Sequence, residues 1–322
     1  MRILLIGGNG LLGHHVARQL LFQGHTVRAL LRSVASLHVE HPLLEKRQGS
    51  FLLYEQLLEA AQGCDGIVNC AGTTDMSLLR MEDYLPVNSD GVATILRVMD
   101  ALGISTLVHT STANTIGYGT ATQPADESAP MQAPFLHSLY ARSKKAGEAL
   151  IDAYTKSHPS AHIITLHPGF MLGASDWRNS SGRLLQAAYR KPLMVVPRGG
   201  KSFLPVKDAA VAIVNALTQG RNGEHFLLSG QSMTLREFYR LQKQTCGYKQ
   251  LTLSLPNWLL LPLGYLGDAL RLCGLRIQLS SNNLRQLMVL EHYDNTRAVN
   301  ALSLPQTPLS QAILDYFNRK QW

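Results

Sequence analysis

Short apolar runs alternate with helical patterns along the first half of this chain. The run Ile3–Ile6 is followed by Leu12, Val16 and Leu20, whose spacing of four places them on one face of a helix. The later strand candidates are Val27–Leu31, Ile67–Val68, Thr106–Val108 and Ile163–Leu166, with helical patterns from about 92 to 102 and from about 138 to 154. Continuous apolar strands suit a sheet that is buried on both faces. The alternation therefore predicts an α/β fold with a parallel, doubly wound sheet and right-handed crossovers.

The second half of the chain lacks this regular alternation. Prolines and glycines cluster in HPGFMLG, KPLMVVPRGG and LPNWLLLPLG, and such clusters interrupt long elements. Strands near Leu204 and Phe226 are expected to rejoin the main sheet. The predicted divisions are a main domain over 1–166, a return to it over 202–230, and a smaller lobe from 167–201 and 231–322.

Composition places few limits on function. The 322 residues are 45% hydrophobic and 16% charged, which suits one large α/β domain or two smaller domains. The 30 Lys and Arg residues exceed the 22 Asp and Glu residues, for a net charge of +8. The sequence contains no basic run and no basic patch with interleaved aromatic residues. We therefore do not predict nucleic acid as a partner.

The cysteines and the first residues indicate a cytoplasmic protein. Cys64, Cys70, Cys246 and Cys273 form no CxxC pair and show no metal-ligand spacing, so we predict reduced, buried thiols and no metal site. The start MRILLIGG has only four consecutive apolar residues, fewer than the apolar region of a signal peptide requires.

One apolar stretch in the second half does not follow the strand–helix pattern. The segment WLLLPLGYLG (258–267) is too short to span a bilayer and contains Pro262, so we predict no integral membrane span. A buried element, or one that covers a pocket, is the expected structure. Contact of residues 255–275 with the surface of a membrane is left open as an alternative.

The segment GGNGLLG (7–13) lies between the first predicted strand and the first predicted helix. Its glycines, Gly7, Gly10 and Gly13, are three positions apart. The first allows a tight turn, the second lets the backbone approach a pyrophosphate, and the third lets the helix pack on the strand. Free N–H groups at the start of the helix then bind phosphate. This order predicts a dinucleotide-binding site.

The end of the second predicted strand indicates which dinucleotide binds. NAD-binding sites carry an acidic residue about 20 positions after the glycines, where it holds the ribose hydroxyls. Here Arg32 occupies that position, and the next acidic residue is Glu40. A guanidinium presents a fork of donors that suits a phosphate. We predict NADP(H), with NAD(H) as the alternative and a solvated loop charge as the simpler role of Arg32.

Three tyrosines are each followed by a lysine four positions later, a spacing that places both on one face of a helix. The pairs are Tyr140 with Lys144, Tyr239 with Lys243, and Tyr316 with Lys320. A lysine ammonium beside a phenol favours the phenolate, which gives an acid/base group usable near neutral pH. Only Tyr140 follows a hydroxyl-bearing strand end, HTSTAN with Thr112, at the sheet edge where ligands bind. We therefore predict Tyr140 as the catalytic tyrosine.

Six segments occur in an order that resembles the extended short-chain dehydrogenase/reductases of the NAD-dependent epimerase/dehydratase superfamily. They are GGNGLLG (7–13), NCAG (69–72), VNSDG (87–91), HTSTA (109–113), YARSK (140–144) and LHPGFMLG (166–173). VRALLR, SKKAGE and the ending YDNTRAVNALSLPQTPLSQAI resemble the dihydroflavonol-reductase-like branch. GASDWRNSSGRLL is similar to a loop of bacterial hopanoid-associated sugar epimerase-like proteins.

The resemblance implies a role for each matching residue. Tyr140 would be the general acid/base, Lys144 would lower its pKa and bind the nicotinamide ribose, and Thr112 would polarise the substrate carbonyl. Three residues depart from the family: Ser50 replaces the usual Asp after the third strand, His167 replaces an Arg that is common after the sixth, and Thr112 replaces the usual Ser but retains the hydroxyl. The residues implied to bind the cofactor are Gly7, Asn9, Gly10, Leu11, Leu12, Gly13, Arg32, Ser50, Phe51, Ala71, Gly72, Thr110, Tyr140, Lys144, Pro168, Gly169 and Phe170.

The resemblance further implies a Rossmann NADP-binding domain, a C-terminal substrate-binding lobe, and reduction of a small, moderately apolar ketone or aldehyde. TANTIG lacks the acidic pair usual in sugar-nucleotide dehydratases, and LHPGF replaces the RYFN-like segment usual in epimerases. The alternatives are a nucleotide-sugar epimerase or dehydratase with tightly bound NAD(P), and a catalytically silent NADP-binding regulator. A homodimer is left open. The residues expected to line the substrate site are Met76, Ile116, Phe135, Phe170, Met171 and Trp177.

Overall fold

The computed structural model describes residues 1–177, 180–275 and 277–318. Within them, seven strands form the main sheet: β1 (Arg2–Ile6), β2 (Thr26–Leu31), β3 (Leu44–Gln48), β4 (Gly66–Asn69), β5 (Thr106–Thr110), β6 (His162–Pro168) and β10 (His225–Leu228). Neighbouring strands are all parallel, in the order β3-β2-β1-β4-β5-β6-β10. The predicted α/β fold with a doubly wound sheet is confirmed, and its switch point lies between β1 and β4.

Helices cover both faces of the main sheet. The helices of the described chain are α1 (Leu11–Phe22), α2 (Tyr54–Ala61), α3 (Gly91–Leu102), α4 (Leu139–Ser157), α5 (Gly182–Ala188), α6 (Val206–Asn215), α7 (Leu235–Cys246), α8 (Asn257–Leu272), α9 (Ser281–Met288), α10 (Thr296–Leu302) and α11 (Leu309–Phe317). α1 and α6 pack on one face through Val16 and Ala209. α2 and α3 pack on the other through Leu57 and Ile95. The central strands therefore lie between two apolar layers, which explains their continuous apolar runs.

The smaller lobe contains two further sheets. Their strands are β7 (Phe170–Leu172), β8 (Leu193–Pro197), β9 (Gly200–Pro205), β11 (Gln231–Thr234) and β12 (Leu251–Leu255). β9 pairs with β7 and β11, and β8 pairs with β12. Phe203 of β9 stacks on Phe238 of α7 with ring centroids 4.3 Å apart, and both side chains are fully buried. This aromatic pair belongs to the core of the lobe.

The expectation that a strand near Leu204 rejoins the main sheet is wrong. That strand, β9, lies in the three-stranded sheet of the smaller lobe, where the packing of Phe203 holds it. The chain returns to the main domain at α6, which packs against α1, and then at β10, where Phe226 pairs with Leu166 of β6. Residues 202–205 therefore belong to the lobe.

α8 does not have the buried position that its apolar sequence predicts. Among its 16 residues, all of them described, the buried ones are Gly264 and Gly267. Trp258, Leu263 and Leu266 are 70%, 50% and 55% exposed. The apolar side of the helix therefore faces outward. Within the described ranges, no helix combines the length and the hydropathy that crossing a bilayer demands.

Candidate active site

The glycine loop joins β1 to α1 and packs against the end of β4. Gly7 has a φ of +81°, and a Cβ atom there would lie 2.6 Å from the backbone nitrogen of Ala71. A Cβ atom on Gly13 would lie 2.1 Å from the Gly7 carbonyl oxygen, so both positions require glycine. Gly10 differs, because the heavy atom nearest to its Cβ would be 3.5 Å away. The protein alone does not require glycine at position 10, whereas close approach of a ligand does.

α1 begins directly after this loop and has no side-chain cap. Gly10 is the N-cap residue, and no acidic side chain lies in the first turn. Uncapped N–H groups together with the positive end of the helix dipole suit a phosphate. Leu12 is buried and Leu11 packs beside the same core, so both side chains anchor the start of α1 to the core of the domain. The loop therefore fits the pyrophosphate of a dinucleotide.

Arg32 follows β2 directly and is exposed. The loop after it is joined to the glycine loop, because Asn9 Nδ2 donates to Ser36 Oγ at 3.1 Å. Ser36 Oγ in turn donates to the Ser33 carbonyl oxygen at 2.6 Å. Since β1 and β2 are neighbours, Arg32 and the glycine loop lie at the same sheet edge. An exposed guanidinium there has the charge and the donors that a ribose phosphate requires.

Ser50 and Phe51 follow β3 at this edge. Ser50 N donates to Gln56 Oε1 at 2.8 Å, and the Ser50 hydroxyl oxygen accepts from Leu52 N at 3.3 Å. Phe51 packs against Gly91, where a Cβ atom would lie 2.4 Å from the ring. Both residues stabilise the connection from β3 to α2. Their contact with a cofactor stays a prediction.

The loop after β4 begins beside the glycine loop. Ala71 N donates to Asn69 Oδ1 at 3.0 Å, and the backbone of Ala71 packs against Gly7. A Cβ atom on Gly72 would lie 3.6 Å from Asn88 Oδ1, so Gly72 passes beside that buried amide. The backbone of Ala71 and Gly72 thus lies at the switch point of the sheet, where ligands of this fold bind.

Pro168, Gly169 and Phe170 lead from the main sheet into the lobe. Pro168 ends β6, and Gly169 N donates to the Leu228 carbonyl oxygen at 2.8 Å. A Cβ atom on Gly169 would lie 2.7 Å from the Ser202 carbonyl oxygen, so the backbones of β6 and β9 approach closely there. Phe170 is half-buried against the core of the lobe. These three residues therefore lie where the two parts of the molecule meet.

Thr112 and Tyr140 lie together beyond the end of β5. The Thr112 hydroxyl oxygen accepts from Asn114 N at 3.3 Å, and Tyr140 is in the first turn of α4. Ser138 caps α4 by accepting from Ala141 N at 3.3 Å. The Thr112 side chain lies close enough to the Tyr140 phenol to affect its pKa. Burial raises the pKa of the Tyr140 phenol above its ordinary value, although the nearby Thr112 hydroxyl lowers it, so the phenol is protonated at neutral pH.

Lys144 lies one turn after Tyr140, but its ammonium group bonds elsewhere. Lys144 Nζ donates to the Thr110 carbonyl oxygen at 2.7 Å, and the residue is 2% exposed. Burial lowers the pKa of Lys144 to about 8, against the opposing effect of the Glu148 charge. Burial of the phenol raises the pKa of Tyr140 in this structure, and a lowering of that pKa by Lys144 stays a prediction.

Glu148 is the buried charge next to this group. Its carboxylate accepts from the hydroxyls of Ser111 and Thr115, the latter at 2.6 Å, and from Lys145 Nζ at 2.9 Å. Burial raises the pKa of Glu148, but His167, Lys145 and the two hydroxyls outweigh burial and hold the pKa below its ordinary value. The carboxylate is therefore ionised at neutral pH and anchors the end of β5.

A chain of hydrogen bonds leads from Glu148 toward the surface. His167 Nδ1 lies 3.5 Å from Glu148 Oε1 and 3.1 Å from Thr115 Oγ1. His167 Nε2 hydrogen-bonds with His225 Nδ1 at 2.9 Å, and His225 Nε2 hydrogen-bonds with Asp152 Oδ1 at 2.9 Å. Burial lowers the pKa of His167 to about 4, so its ring is neutral. Glu148, His167 and His225 place atoms that could bind a metal ion within 4.8 Å of one another. Each of these side chains is already hydrogen-bonded to its neighbours in this series, so we assign them a hydrogen-bonding role.

The Tyr239 pair lies in the smaller lobe. Tyr239 is fully buried in α7 and donates its hydroxyl to the Leu184 carbonyl oxygen at 3.2 Å. Lys243 Nζ donates to the Gln250 carbonyl oxygen at 2.7 Å. Both groups therefore bond to backbone oxygens of the lobe, away from the carboxyl edge of the main sheet.

The Tyr316 pair also belongs to the lobe. Tyr316 packs against Gly182 of α5, where a Cβ atom would lie 2.3 Å from the ring, so it is half-buried rather than at an exposed helix end. Lys320 lies outside the described residues. Of the three tyrosines, Tyr140 is the one placed beside the switch point of the sheet.

The residues expected to line a substrate site differ in burial. Ile116 and Phe135 are 3% and 0% exposed, so the expectation that they line an open site is wrong, because both pack inside the domain. Trp177 is 52% exposed, and its ring meets His38 edge-on with centroids 5.1 Å apart. The half-buried members are Met76, Phe170 and Met171.

Two buried polar residues of the site were not predicted from the sequence. Asn88 accepts from Thr73 N at 2.9 Å and donates to Ser143 Oγ at 2.9 Å, and it thereby joins the loop after β4 to α4. Glu148 lies one turn after Lys144 on the buried side of α4. For Glu148, the sequence did offer a signal: a charged residue at a helix position that faces the core, where apolar residues are usual.

Comparison with known families and structures agrees with this geometry. The sequence profile of the NAD dependent epimerase/dehydratase family matches residues 3–229, which hold the main sheet and every predicted cofactor and catalytic residue. The structure is similar to that of Thermus thermophilus UDP-glucose 4-epimerase in complex with NAD, with a TM-score of 0.75 and 19% identity over 99% of this chain and 98% of that chain. At this identity the likeness shows the fold.

Two relatives by sequence have names that indicate reductases. The chain is 25% identical over 321 residues to a provisionally named dihydroflavonol 4-reductase of Synechocystis sp., which covers 96% of this chain and 91% of the relative. It is 29% identical over 276 residues to the 4-hydroxy-2-methyl-3-oxo-4-farnesyl-3,4-dihydroquinoline-1-oxide ketoreductase of Stigmatella aurantiaca, which covers 84% of this chain and 80% of the relative.

Proposed function

We propose that this chain, which belongs to the NAD dependent epimerase/dehydratase family, is an NADP(H)-dependent carbonyl reductase. Membership of that family confirms the resemblance seen in the sequence. The observation that carries this proposal is the grouping of Thr112, Tyr140 and Lys144 beyond the end of β5. Its substrate is a small, moderately apolar ketone or aldehyde. Tyr140 is the general acid of the reduction.

Each of the three side chains has a distinct task in this proposal. The bound cofactor supplies a hydride to the carbonyl carbon. Tyr140, kept protonated by burial, donates its proton to the carbonyl oxygen, and Thr112 offers a second hydroxyl to the same oxygen as charge develops there. With a pKa of about 8, Lys144 is mostly protonated at pH 7 and holds a positive charge one turn from the phenol.

Arg32 supports NADP(H) as the cofactor. It is exposed at the end of β2, and Asn9 joins the following loop to the glycine loop that fits a pyrophosphate. A 2′-phosphate on the adenine ribose would meet a guanidinium there, whereas the 2′-hydroxyl of NAD(H) would find no nearby acid in the sequence before Glu40.

Substitution of Arg32 tests the cofactor assignment. Arg32→Ala removes a charge-assisted hydrogen bond worth on the order of 1.5–3 kcal/mol. NADPH binding should weaken by roughly ten- to a hundredfold or more, at about 1.4 kcal/mol per decade, and NADH binding should change little. Fluorescence titration of both cofactors measures this, with Arg236→Ala on the exposed surface of α7 as the matched control. If Arg32→Ala weakened NADPH binding and NADH binding equally, Arg32 would not contact the 2′-phosphate and would instead support the fold.

An apolar carbonyl substrate is supported by residues and by a relative. Met76 follows β4, and Phe170 and Met171 follow β6; all three are half-buried and apolar. The Stigmatella relative is named as the ketoreductase of a farnesylated dihydroquinoline, an apolar ketone. A site bordered by these side chains favours apolar substrates over hydrophilic ones.

A panel of carbonyl compounds tests the reaction. The purified protein is mixed with NADPH and with ketones and aldehydes that range from hydrophilic to prenylated, and the loss of cofactor absorbance is followed. Turnover of apolar ketones is expected. Conversion of sugar nucleotides alone, with bound NAD(P) and no net redox change, would identify an epimerase. Cofactor binding without conversion of any compound would identify a catalytically silent regulator.

A further inference from the structure

Helix α8 turns an apolar face to the solvent over four turns. We call this surface the α8 face. Its side chains, with their exposed fractions, are Trp258 (70%), Leu259 (44%), Leu263 (50%), Tyr265 (55%), Leu266 (55%) and Leu272 (87%). The acidic residue of the helix, Asp268, is not part of the α8 face. Its carboxylate points toward the start of α9, where it accepts from Ser281 N at 3.2 Å. The exposed side of α8 therefore combines leucines and aromatic rings with no negative charge.

The inner side of α8 carries glycines and polar side chains, with Leu260 and Leu261 half-buried beside them. A Cβ atom on Gly264 would lie 2.7 Å from Ser281 Cα, so the helix sits close to the start of α9, and Gly267 is similarly confined. Arg271 also turns inward, where its Nη2 donates to the carbonyl oxygens of residues 76–78 at 3.2 to 3.3 Å. Surface helices usually bury their apolar side. α8 instead leaves most of its apolar side chains exposed.

The two-stranded sheet that precedes α8 has the same property. Its outward-facing pairs are Leu193 with Leu251 and Val195 with Leu253, all of them exposed. Arg198 N donates to Asn257 Oδ1 at 3.0 Å, which joins the end of β8 to the start of α8. Contiguous exposed apolar surface marks an interaction site, because leaving it in water costs free energy.

We propose that the α8 face docks on an anionic lipid surface. The helix would lie in the plane of the interface, with its leucines among the acyl chains and Trp258 and Tyr265 at the level of the headgroups. The charge agrees: of the charged side chains that the structure describes between residues 257 and 288, Arg285 is exposed, whereas Asp268 and Arg271 turn inward, and the chain has a net charge of +8. Arg285 is exposed beside the face, and its Nη2 donates to the Tyr265 hydroxyl at 2.7 Å. A second copy of the chain is the competing occupant, and the experiment below separates it from a lipid surface.

The α8 face is linked to the candidate active site through α9. Asn283 Nδ2 donates to the Met76 carbonyl oxygen at 3.2 Å, and Asn282 Nδ2 donates to the His137 carbonyl oxygen at 3.3 Å, three residues before Tyr140. The docking elements thus hold the loop after β4 and the loop before α4. A lipophilic carbonyl substrate would then reach Tyr140 from the bilayer side. That second step rests on the proposed function, whereas docking itself does not.

Vesicle sedimentation tests the docking. The purified full-length chain is spun down with vesicles of phosphatidylethanolamine and phosphatidylglycerol, or with vesicles of phosphatidylcholine alone. The protein should sediment with the anionic vesicles, bind the neutral ones more weakly, and dissociate as NaCl screens the arginines. The variant with Leu263→Ser and Leu266→Ser should partition at least about tenfold less, since each buried leucine contributes to binding.

A matched control separates the α8 face from general surface hydrophobicity. Phe22 and Leu53 are 86% and 53% exposed on the main domain, and Phe22→Ser with Leu53→Ser should leave vesicle binding unchanged. Thermal melts establish that each variant is folded. No substrate is needed, so failure of the carbonyl assay would leave this result intact.

The proposal is overturned if the wild-type chain stays in the supernatant with anionic vesicles, or if the α8 variant binds them as well as the wild type does. A third result also overturns it: light scattering that shows a dimer which the α8 variant converts to a monomer, with no vesicle binding by the wild type. In that case a second copy covers the α8 face.

Discussion

Helices α4 and α8 depart in opposite ways from an ordinary surface helix. α4 turns Lys144 and Glu148 inward, where they are 2% and 0% exposed, whereas α8 turns Trp258 and Leu266 outward. Inside α4 each buried charge has partners within the chain: a backbone carbonyl for Lys144, and two hydroxyls and a lysine for Glu148. A buried charge is costly unless it is paired, and exposed apolar surface is costly unless it is covered. In α4, groups of the same chain pair the buried charges. In α8, no such contact covers the exposed apolar side chains that the structure describes, and we infer that an outside partner covers them.

The largest effect is expected at the first turn of α4. Tyr140→Phe removes the proton donor, so turnover should fall by roughly 10²–10⁴, the range for general acid catalysis. The Kd for NADPH should stay nearly unchanged, because the ring remains in place. Stopped-flow and steady-state rates with a verified carbonyl substrate measure the loss.

Tyr239→Phe is the matched control, because that phenol also lies in a helix four residues before a lysine. Its hydroxyl donates to the Leu184 carbonyl oxygen, so removal should cost about 1 kcal/mol of unfolding free energy and leave turnover near the wild-type value. Wild-type turnover in Tyr140→Phe would falsify the assignment of Tyr140 as the acid.

The second effect concerns stability at the other buried charge of α4. Glu148→Ala removes the acceptor of the Ser111 hydroxyl and one of the two acceptors of the Thr115 hydroxyl, which keeps the Thr112 carbonyl oxygen, at a cost of about 3 kcal/mol of unfolding free energy. Glu148→Gln keeps an acceptor and should cost less. Urea unfolding measures both variants. Glu59→Ala, at an exposed carboxylate of α2 that pairs with Arg47, should leave the urea midpoint nearly unchanged. Similar midpoints for Glu148→Ala and Glu59→Ala would contradict the importance given to this buried network.

A smaller effect is expected from acid. The folded pKa of His167 is about 4, against 6.5 for a free histidine; burial is the main cause, Glu148 opposes it, and His225 and Lys145 reinforce it. Between these two values the unfolded chain binds a proton that the folded chain does not, so stability falls as the pH drops from 6.5 to 4.

The slope from His167 is at most about 1.4 kcal/mol per pH unit. His167→Gln should therefore show a shallower loss of unfolding free energy than the wild type when urea unfolding is compared at pH 7, 6 and 5. Equal slopes in the two proteins would show that the ring of His167 gains its proton as readily in the folded chain as in the unfolded one.

The smallest effect is expected on α8, and it sharpens the comparison. Leu266→Ser should change the free energy of unfolding in the absence of vesicles by no more than about 0.5 kcal/mol, because a side chain that is 55% exposed gives up little packing. Urea unfolding measures it. A loss comparable to that of Glu148→Ala would mean that the α8 face packs within this chain and needs no outside partner.

The strands at the centre of the sheet could be predicted because burial on both faces demands continuous apolar residues. β3 could not be found by that rule, since its residues LEKRQ are charged and it pairs with β2 alone at the sheet edge, where charged side chains prevent unwanted pairing. The strand near Leu204 was assigned to the wrong sheet. Its apolar pattern fits either one, and the packing of Phe203 on Phe238 decides between them.

Much of the candidate site could also be placed from the sequence. The glycine loop, Thr112 and Tyr140 follow strands whose carboxyl ends share one edge of a parallel sheet, so their approximate meeting follows from topology. The bond of Lys144 to the Thr110 carbonyl and the raised pKa of Tyr140 could not be predicted. Both depend on how deeply the groups are buried and on which atoms surround them.

By itself, the sequence determined the doubly wound sheet, the glycine loop and the position of Tyr140 on the helix after β5, because these depend on periodicity, spacing and order along the chain. Only the tertiary structure decided that Glu148 lies inside, bound to Ser111, Thr115 and Lys145, and that the apolar side of α8 lies outside. A helical pattern defines which residues share a face, but the direction of that face is set by contacts between elements far apart in sequence. For α8 those contacts are the glycines against the start of α9 and the inward Arg271, which leave its leucines facing outward.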